Sequence, residues 1–172
     1  MSPLRTNQMQ VLAALEALYQ QEMPHPDSSL FQAACYHFQN PGKSFRAQLA
    51  LTSGIALGLN EQDNLYWAAA CELLHNASLI HDDISDASTH RRGQESIHQQ
   101  FGSDMALCLG DWMVAKAFEL SARNRNFGGR LTALLAQAMQ ETCSGQMADI
   151  SQRQCAELED WQRIAKGKTA PL

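Results

Sequence analysis

No stretch of this chain approaches the ~18 consecutive apolar residues that a membrane-crossing helix needs. Its first ten residues, MSPLRTNQMQ, lack the apolar core of a secretory signal. Neither a membrane span nor secretion is expected, and the expected compartment is the cytoplasm. No Cys-x-x-Cys pair exists. The five cysteines, Cys35, Cys71, Cys108, Cys143 and Cys155, are odd in number and widely spaced, as expected of buried reduced thiols. Proline is scarce at 5 residues, and Ala, Leu, Gln and Glu dominate, which favours helix over sheet. No alternation of apolar and polar residues marks a strand, and no low-complexity tract or internal repeat is present. An excess of positive charge is missing too. The net charge of −5 argues against a nucleic-acid partner, so an anionic ligand would need local positive charge or a bridging metal. What is there, 45% hydrophobic and 18% charged residues in a chain of 172, suits one helical domain over residues 1–172 with a real core.

Apolar residues recur at helical spacing. Met9, Leu12, Leu15 and Tyr19 predict an amphipathic helix over about 4–21. Pro24 and Pro26 break it, and a short helix follows around 28–39. Asn40-Pro41-Gly42 is a turn, after which a helix is expected from Lys43 to about Gly58. Asn60 or Asp63 can cap the next helix, expected over 65–86. Residues 87–103 are polar and are expected as a long loop or short helical pieces. Helices over about 104–122, 130–151 and 155–168 complete an all-α bundle, or half of a larger one.

Charge sits at the unfavourable end of a helix in two places. The helix through Leu74 ends in His81-Asp82-Asp83-Ile84-Ser85-Asp86, three carboxylates at an electronegative terminus. At ~100° per residue, Asp82 and Asp86 fall on one face with His75 between them, and Asp83 lies on the neighbouring side. Crowded carboxylates are relieved by a cation, and oxygen ligands suit Mg²⁺, which shares itself with substrate phosphates. A solvated acidic helix end has the same sequence. Lys43 and Arg46 are the mirror case, cations in an expected first turn, where an anion is favoured. A basic pair reaching into solvent is the plainer alternative. Arg91-Arg92-Gly93 follows Asp86 closely. Adjacent arginines can point apart and hold two oxyanions, or one can pair with Glu95 or the aspartates. Rules broken together mark a functional site, and this set suits two diphosphates.

The residues from Leu73 to Asp86, with Arg91-Arg92-Gly93, resemble the first aspartate-rich region of the trans-polyprenyl (isoprenyl) diphosphate synthases, D-D-x-x-D followed by R-R-G. Gly42-Lys43-Ser44-Phe45-Arg46 is similar to that family's G-K-x-x-R. His98, Gly110-Asp111, Gly145-Gln146 with Asp149, and Ile164 with Lys168-Thr169-Ala170-Pro171-Leu172 follow in the family's order. D-D-x-x-D alone also occurs in terpene cyclases. Those need no isopentenyl diphosphate site, so Lys43, Arg46 and Arg92 argue against them.

The resemblance implies an isoprenoid-synthase fold and Mg²⁺-dependent condensation of isopentenyl diphosphate with an allylic diphosphate. Asp82, Asp83 and Asp86 would hold Mg²⁺, with Asp82 and Asp86 the direct ligands. Arg91, Lys168 and Thr169 would contact the allylic diphosphate, and Lys43, Arg46, His75 and Arg92 the isopentenyl diphosphate. Gln146 would line the pocket more plainly than Asp149, and Asp111 would be structural. By the family's logic, small Ala77 and Ser78 and modest Cys71 and Leu74 place no bulky floor below the aspartates, which implies a product longer than farnesyl; close helix packing is the plainer reading of Ala77 and Ser78. One departure stands out. The sequence ends at Leu172, whereas family members continue to a second aspartate-rich motif that Asp149 and Glu157-Leu158-Glu159-Asp160 do not match. The lone chain is therefore expected to be inactive. A partner chain carrying that motif is expected. The alternatives are a non-catalytic regulatory or diphosphate-binding subunit, or a piece of a longer synthase.

Overall fold

The computed structural model describes the backbone of residues 3–11 and both backbone and side chains of residues 12–40, 42–151 and 157–171. Pro41, Cys155, Leu172, the side chain of Met9 and the expected helix start at residue 155 lie outside that description. Helices dominate: α1 (Pro3–Gln21), α2 (Leu30–Phe38), α3 (Phe45–Ala56), α4 (Glu61–Ser85), α5 (Ile97–Phe101), α6 (Ser103–Ala122), α7 (Gly128–Ser151) and α8 (Leu158–Thr169). A short hairpin of β1 (His90–Arg91) and β2 (Gln94–Glu95) lies between α4 and α5, with Arg91 opposite Gln94.

The long helix α4 is the spine, packed against α1, α3, α5, α6 and α7. Its start is fixed by Asn60, whose side-chain oxygen accepts from the N–H groups of Gln62 and Asp63, each at 3.1 Å. Glu61 and Asp63 in that first turn complement the helix dipole. The helix is buried almost all round. Ala68, Ala69, Leu73, Ala77 and Ile80 meet a core that includes Leu109, Met113, Ala117 and Leu120 of α6. Small residues at such a seam let two backbones approach and still exclude water.

The end of α4 carries the aspartates. Ala87 takes left-handed backbone (φ 51°), and the N–H groups of Ala87 and Ser88 return to the carbonyls of Ile84 and Asp83 at 3.3 and 2.9 Å. This double closure stops the helix and satisfies its last carbonyls. The next residues depart from the expected loop by forming the hairpin. Arg92 (φ 52°) and Gly93 (φ 81°) are its two turn residues, the conformation that a two-residue hairpin turn with right-handed strand twist requires. A two-residue strand is too short to show alternation, so no strand was expected here. His98 ties the segment down, its Nε2 lying 2.7 Å from the Ser88 carbonyl.

Two further boundaries differ from expectation. α3 begins at Phe45 rather than Lys43, because Ser44 is in left-handed backbone (φ 45°) and cannot continue a right-handed turn. Lys43 thus precedes the helix, and only Arg46 lies in its first turn. α4 begins at Glu61 rather than Leu65, since the Asn60 cap recruits a polar first turn ahead of the apolar periodicity. Large apolar side chains remain uncovered, among them Phe45 (68% exposed), Leu57 (75%) and Trp161 (58%). Among the described residues, no helix is long and apolar enough to cross a membrane.

Candidate active site

At the end of α4 the three aspartates divide. Asp82 is half-buried and Asp86 exposed, one helical turn apart, whereas Asp83 turns inward and is 3% exposed. Asp83, expected among the metal ligands, is engaged by Arg91. The guanidinium Nη2 lies 2.5 Å and Nε 3.0 Å from Oδ1, with Nε also 3.2 Å from Oδ2. The pair fixes the hairpin to the helix and leaves Arg91 leaning over the carboxylates. Its guanidinium pKa is raised, first by the Asp83 hydrogen bond, and Asp82 and Asp86 add to the effect.

Lys168 arrives from the last turn of α8, where a cation also suits the helix dipole. The crossing of α7 and α8 allows it. A Cβ on Gly145 would sit 2.2 Å from the Gly167 carbonyl carbon and 2.3 Å from the Lys168 nitrogen, so only glycine permits this approach. Lys168 Nζ then meets Asp149 Oδ2 at 2.8 Å. Burial pulls the Lys168 ammonium down, but the Asp149 bond and the fields of Asp82, Asp149 and Asp86 outweigh it, and its pKa rises. Burial in turn pushes the Asp82 carboxyl up. Lys168 and Arg91 oppose that rise, and Asp86 and Asp83 reinforce it. Asp82 thus lies within the fields of Lys168 and Arg91, and both cations lie within those of Asp82 and Asp86.

A second group of cations gathers near His75. Arg92 bends away from its neighbour, donating through Nη1 to the Asn40 carbonyl at 3.0 Å and to Asn76 Oδ1 at 3.3 Å. It lies across Gly42, where a Cβ would come within 2.8 Å of the guanidinium carbon. His75 is pushed down to about 4, first by burial and then by the fields of Arg46, Arg92 and Arg91. The imidazole is therefore neutral near pH 7, beside three cations. Asn76 is the hub of this side. It is 2% exposed, its Oδ1 lies 2.9 Å from His37 Nε2, and its Nδ2 donates to the Glu72 carbonyl at 2.7 Å.

Among the residues expected from sequence, the structure brings together Asp82, Asp86, Arg91 and Lys168, and separately Arg46, His75 and Arg92. Lys43 is exposed beside Gly42, where its carbonyl accepts from Gln48 at 2.6 Å. Gln146 buries both side-chain amide atoms without a protein partner. Thr169 is exposed and lines an open groove with Trp161 and Ala165. Sequence reasoning missed Asn76, Glu72, Asn40 and His37. The signal for Asn76 and Glu72 was there, polar residues one turn apart inside an apolar helix. Asp149, ranked below Gln146, is the partner of Lys168. Gly110-Asp111 has a structural explanation: the His81 ring lies over Gly110, and His81 Nε2 is 3.5 Å from Asp111 Oδ1.

The donor set fits Mg²⁺. Asp82 and Asp86 offer only oxygen, and Asp82 is a carboxylate whose charge its surroundings disfavour. Among the described residues, no group of three or more His, Cys, Asp or Glu side chains converges to hold a metal alone. Two carboxylates that leave coordination positions for phosphate oxygens match the ordinary habit of this ion.

Residues 27–172 match the family model described as polyprenyl synthetase. The chain is 32% identical over 164 residues to a geranylgeranyl pyrophosphate synthase of Geoglobus acetivorans, covering 92% of this chain and 50% of the relative. It is 34% identical over 148 residues to a short chain isoprenyl diphosphate synthase of Methanothermobacter thermautotrophicus, covering 84% of this chain and 46% of that one. The solved structure of a geranyltranstransferase from Thermotoga maritima superposes with a TM-score of 0.84 at 31% identity, over 95% of this chain and 63% of that one. The chain spans about half the length of the curated relatives it matches.

Proposed function

Since this chain belongs to the polyprenyl synthetase family, we propose that it serves the head-to-tail condensation of isopentenyl diphosphate with an allylic diphosphate. The observation that carries this reading is the division of charge at the end of α4. Asp82 and Asp86 share their fields with Lys168 and Arg91, and neutral His75 lies in those of Arg46, Arg92 and Arg91.

Asp82 and Asp86 would hold Mg²⁺, whose chemistry when bound is Lewis-acid stabilisation of a departing diphosphate. Asp83 acts through Arg91, which it orients toward the same oxygens. Lys168 and Arg91 place fixed positive charge where the leaving group gains negative charge, and preorganised charge of this kind lowers the barrier. Gln146 and Thr169 complete the allylic side in this reading. Arg46, Arg92 and His75, with Lys43 at the rim, bind the second diphosphate and so set its double bond against the allylic carbon. No side-chain nucleophile is required, and the diphosphate released is the base for the final proton. Ala77 is packed into the α4–α6 core, which leaves the half-buried Ser78 as the small residue below the aspartates that suits a growing chain longer than farnesyl.

The relatives are about twice as long. In this reading the remaining metal ligands come from the counterpart of that second half, on a partner chain or on the rest of a longer synthase, and the uncovered Phe45, Leu57 and Trp161 are apolar surface for it to cover. The test is purification of the chain with whatever co-elutes, then elongation assays with isopentenyl diphosphate and an allylic primer, with and without Mg²⁺. Mg²⁺-dependent products from the complex and none from the lone chain are expected. An inactive complex whose partner has an intact second aspartate motif would instead favour a regulatory, diphosphate-binding role.

A further inference from the structure

The first turn of α3 carries Arg46 but has no cap of its own. Ser44 lies in left-handed backbone, and its side chain makes no capping bond. A buried N–H left without a partner costs about 1–3 kcal/mol. One is met from the neighbouring helix: Glu72 Oε2 accepts from the Ala47 N–H at 3.1 Å, across 25 residues of sequence. Glu72 is 2% exposed, in the middle of α4. A carboxyl is an expensive group to place there unless it is satisfied, and no step of the reaction above uses it.

The same turn of α4 supports the other wall of the pocket. Asn76, whose amide is held by the Glu72 carbonyl at 2.7 Å, accepts from Arg92. The negative field of Glu72 also reaches Arg92. A buried carboxyl thus sits behind the cations without being open to compete for their anion. Moving α3 would separate Arg46 from Arg92 and His75, since those two are carried by the hairpin and by α4.

We propose that Glu72 is a positioning residue for the isopentenyl diphosphate side of the site, holding the start of α3 so that Arg46 faces Arg92 and His75. This rests on the prenyl-transfer reading. Glu72 touches no substrate; it acts through the Ala47 N–H and the helix that follows.

The test compares the unaltered chain with Glu72→Ala and Glu72→Gln. Amide hydrogen exchange at Ala47 reports the bond itself, slow in the unaltered chain and in Glu72→Gln, whose amide oxygen still accepts, and fast in Glu72→Ala. Calorimetric titrations use isopentenyl diphosphate without metal, and geranyl diphosphate with Mg²⁺. Glu72→Ala is expected to weaken isopentenyl diphosphate at least about tenfold and geranyl diphosphate less than about twofold, with Glu72→Gln restoring the first to within about threefold. Equal loss for both ligands, or unchanged affinity while the Ala47 amide exchanges freely, overturns the positioning role. Binding of neither ligand by the unaltered chain in complex with what co-elutes, on which all the titrations are made, overturns the prenyl-transfer reading and is seen before any variant is made. Should Glu72→Ala not fold, Glu72→Asp, one methylene too short to reach Ala47, takes its place with the same selective loss expected.

Discussion

Lys168 Nζ lies 2.8 Å from Asp149 Oδ2, so the cation that faces Asp82 and Asp86 is held from behind by an acid of the neighbouring helix. The Gly145–Gly167 crossing sets the separation of α7 and α8 that makes the pair possible. Asp149→Asn removes the charge and keeps the shape. It is expected to lower the Lys168 pKa and to weaken an allylic diphosphate by roughly tenfold, about the worth of one charge-assisted hydrogen bond. Calorimetry in the presence of Mg²⁺ checks this, and affinity equal to that of the unaltered chain would assign Asp149 to helix packing alone.

Asp82 and Asp83 are adjacent in sequence and opposite in consequence. Asp83→Ala strands the Arg91 guanidinium, a third of whose side chain is exposed, and should cost about 1–3 kcal/mol of stability. Asp82→Asn removes a carboxylate whose ionised form the fold disfavours, so its urea midpoint should hold or rise while metal-dependent diphosphate binding disappears. The two variants should therefore separate in a plot of urea midpoint against binding. If both lose stability equally, Asp82 is structural.

Arg92 adopts left-handed backbone, where glycine would sit without strain. Arg92→Gly relieves roughly 1–2 kcal/mol of backbone cost and gives up the bonds to Asn40 and Asn76, so stability should stay within about 1 kcal/mol. Affinity for isopentenyl diphosphate should nonetheless fall by about tenfold or more. Retained affinity in this variant would remove Arg92 from the site.

His37 and His75 are each pushed down from 6.5 to about 4, chiefly by burial; the Asn76 bond opposes the shift at His37, and the arginine fields deepen it at His75. Between 6.5 and about 4 the unfolded chain binds more protons than the folded one at both residues. Stability contributed by these neutral imidazoles is therefore complete at neutral pH, falls as the pH drops through that window, and levels off below it. Urea midpoints measured from pH 7 to 4.5 should decline, and His37→Gln, which keeps a donor for Asn76, should decline less steeply. Parallel slopes for the two proteins would mean that carboxylates alone govern the acid limb.

How far the site could be read from sequence depended on how local each signal was. The aspartates, Arg91-Arg92 and Lys43 with Arg46 were visible because each cluster lies within one or two turns of chain, where helix geometry fixes relative direction. The fate of each member was not visible. Nothing in Asp82-Asp83 says that the second acid turns inward to Arg91. Nor does Gly42-Lys43-Ser44 show that left-handed backbone at Ser44 delays the helix and leaves Lys43 outside it. The hairpin at 90–95 escaped notice because two-residue strands carry no periodicity.

By itself the sequence determined the helices, the break after α1, the acidic end of α4 and the family resemblance, since apolar periodicity and motif spacing are properties of neighbours along the chain. Only the tertiary structure decided which charges meet. Asp149 finds Lys168 and Glu72 finds the N–H of Ala47 because helices distant in sequence pack together, and Asn76 finds Arg92 because the β1–β2 hairpin folds back on α4. Once those buried groups leave water, each must be matched by whatever partner the packing brings within hydrogen-bond reach.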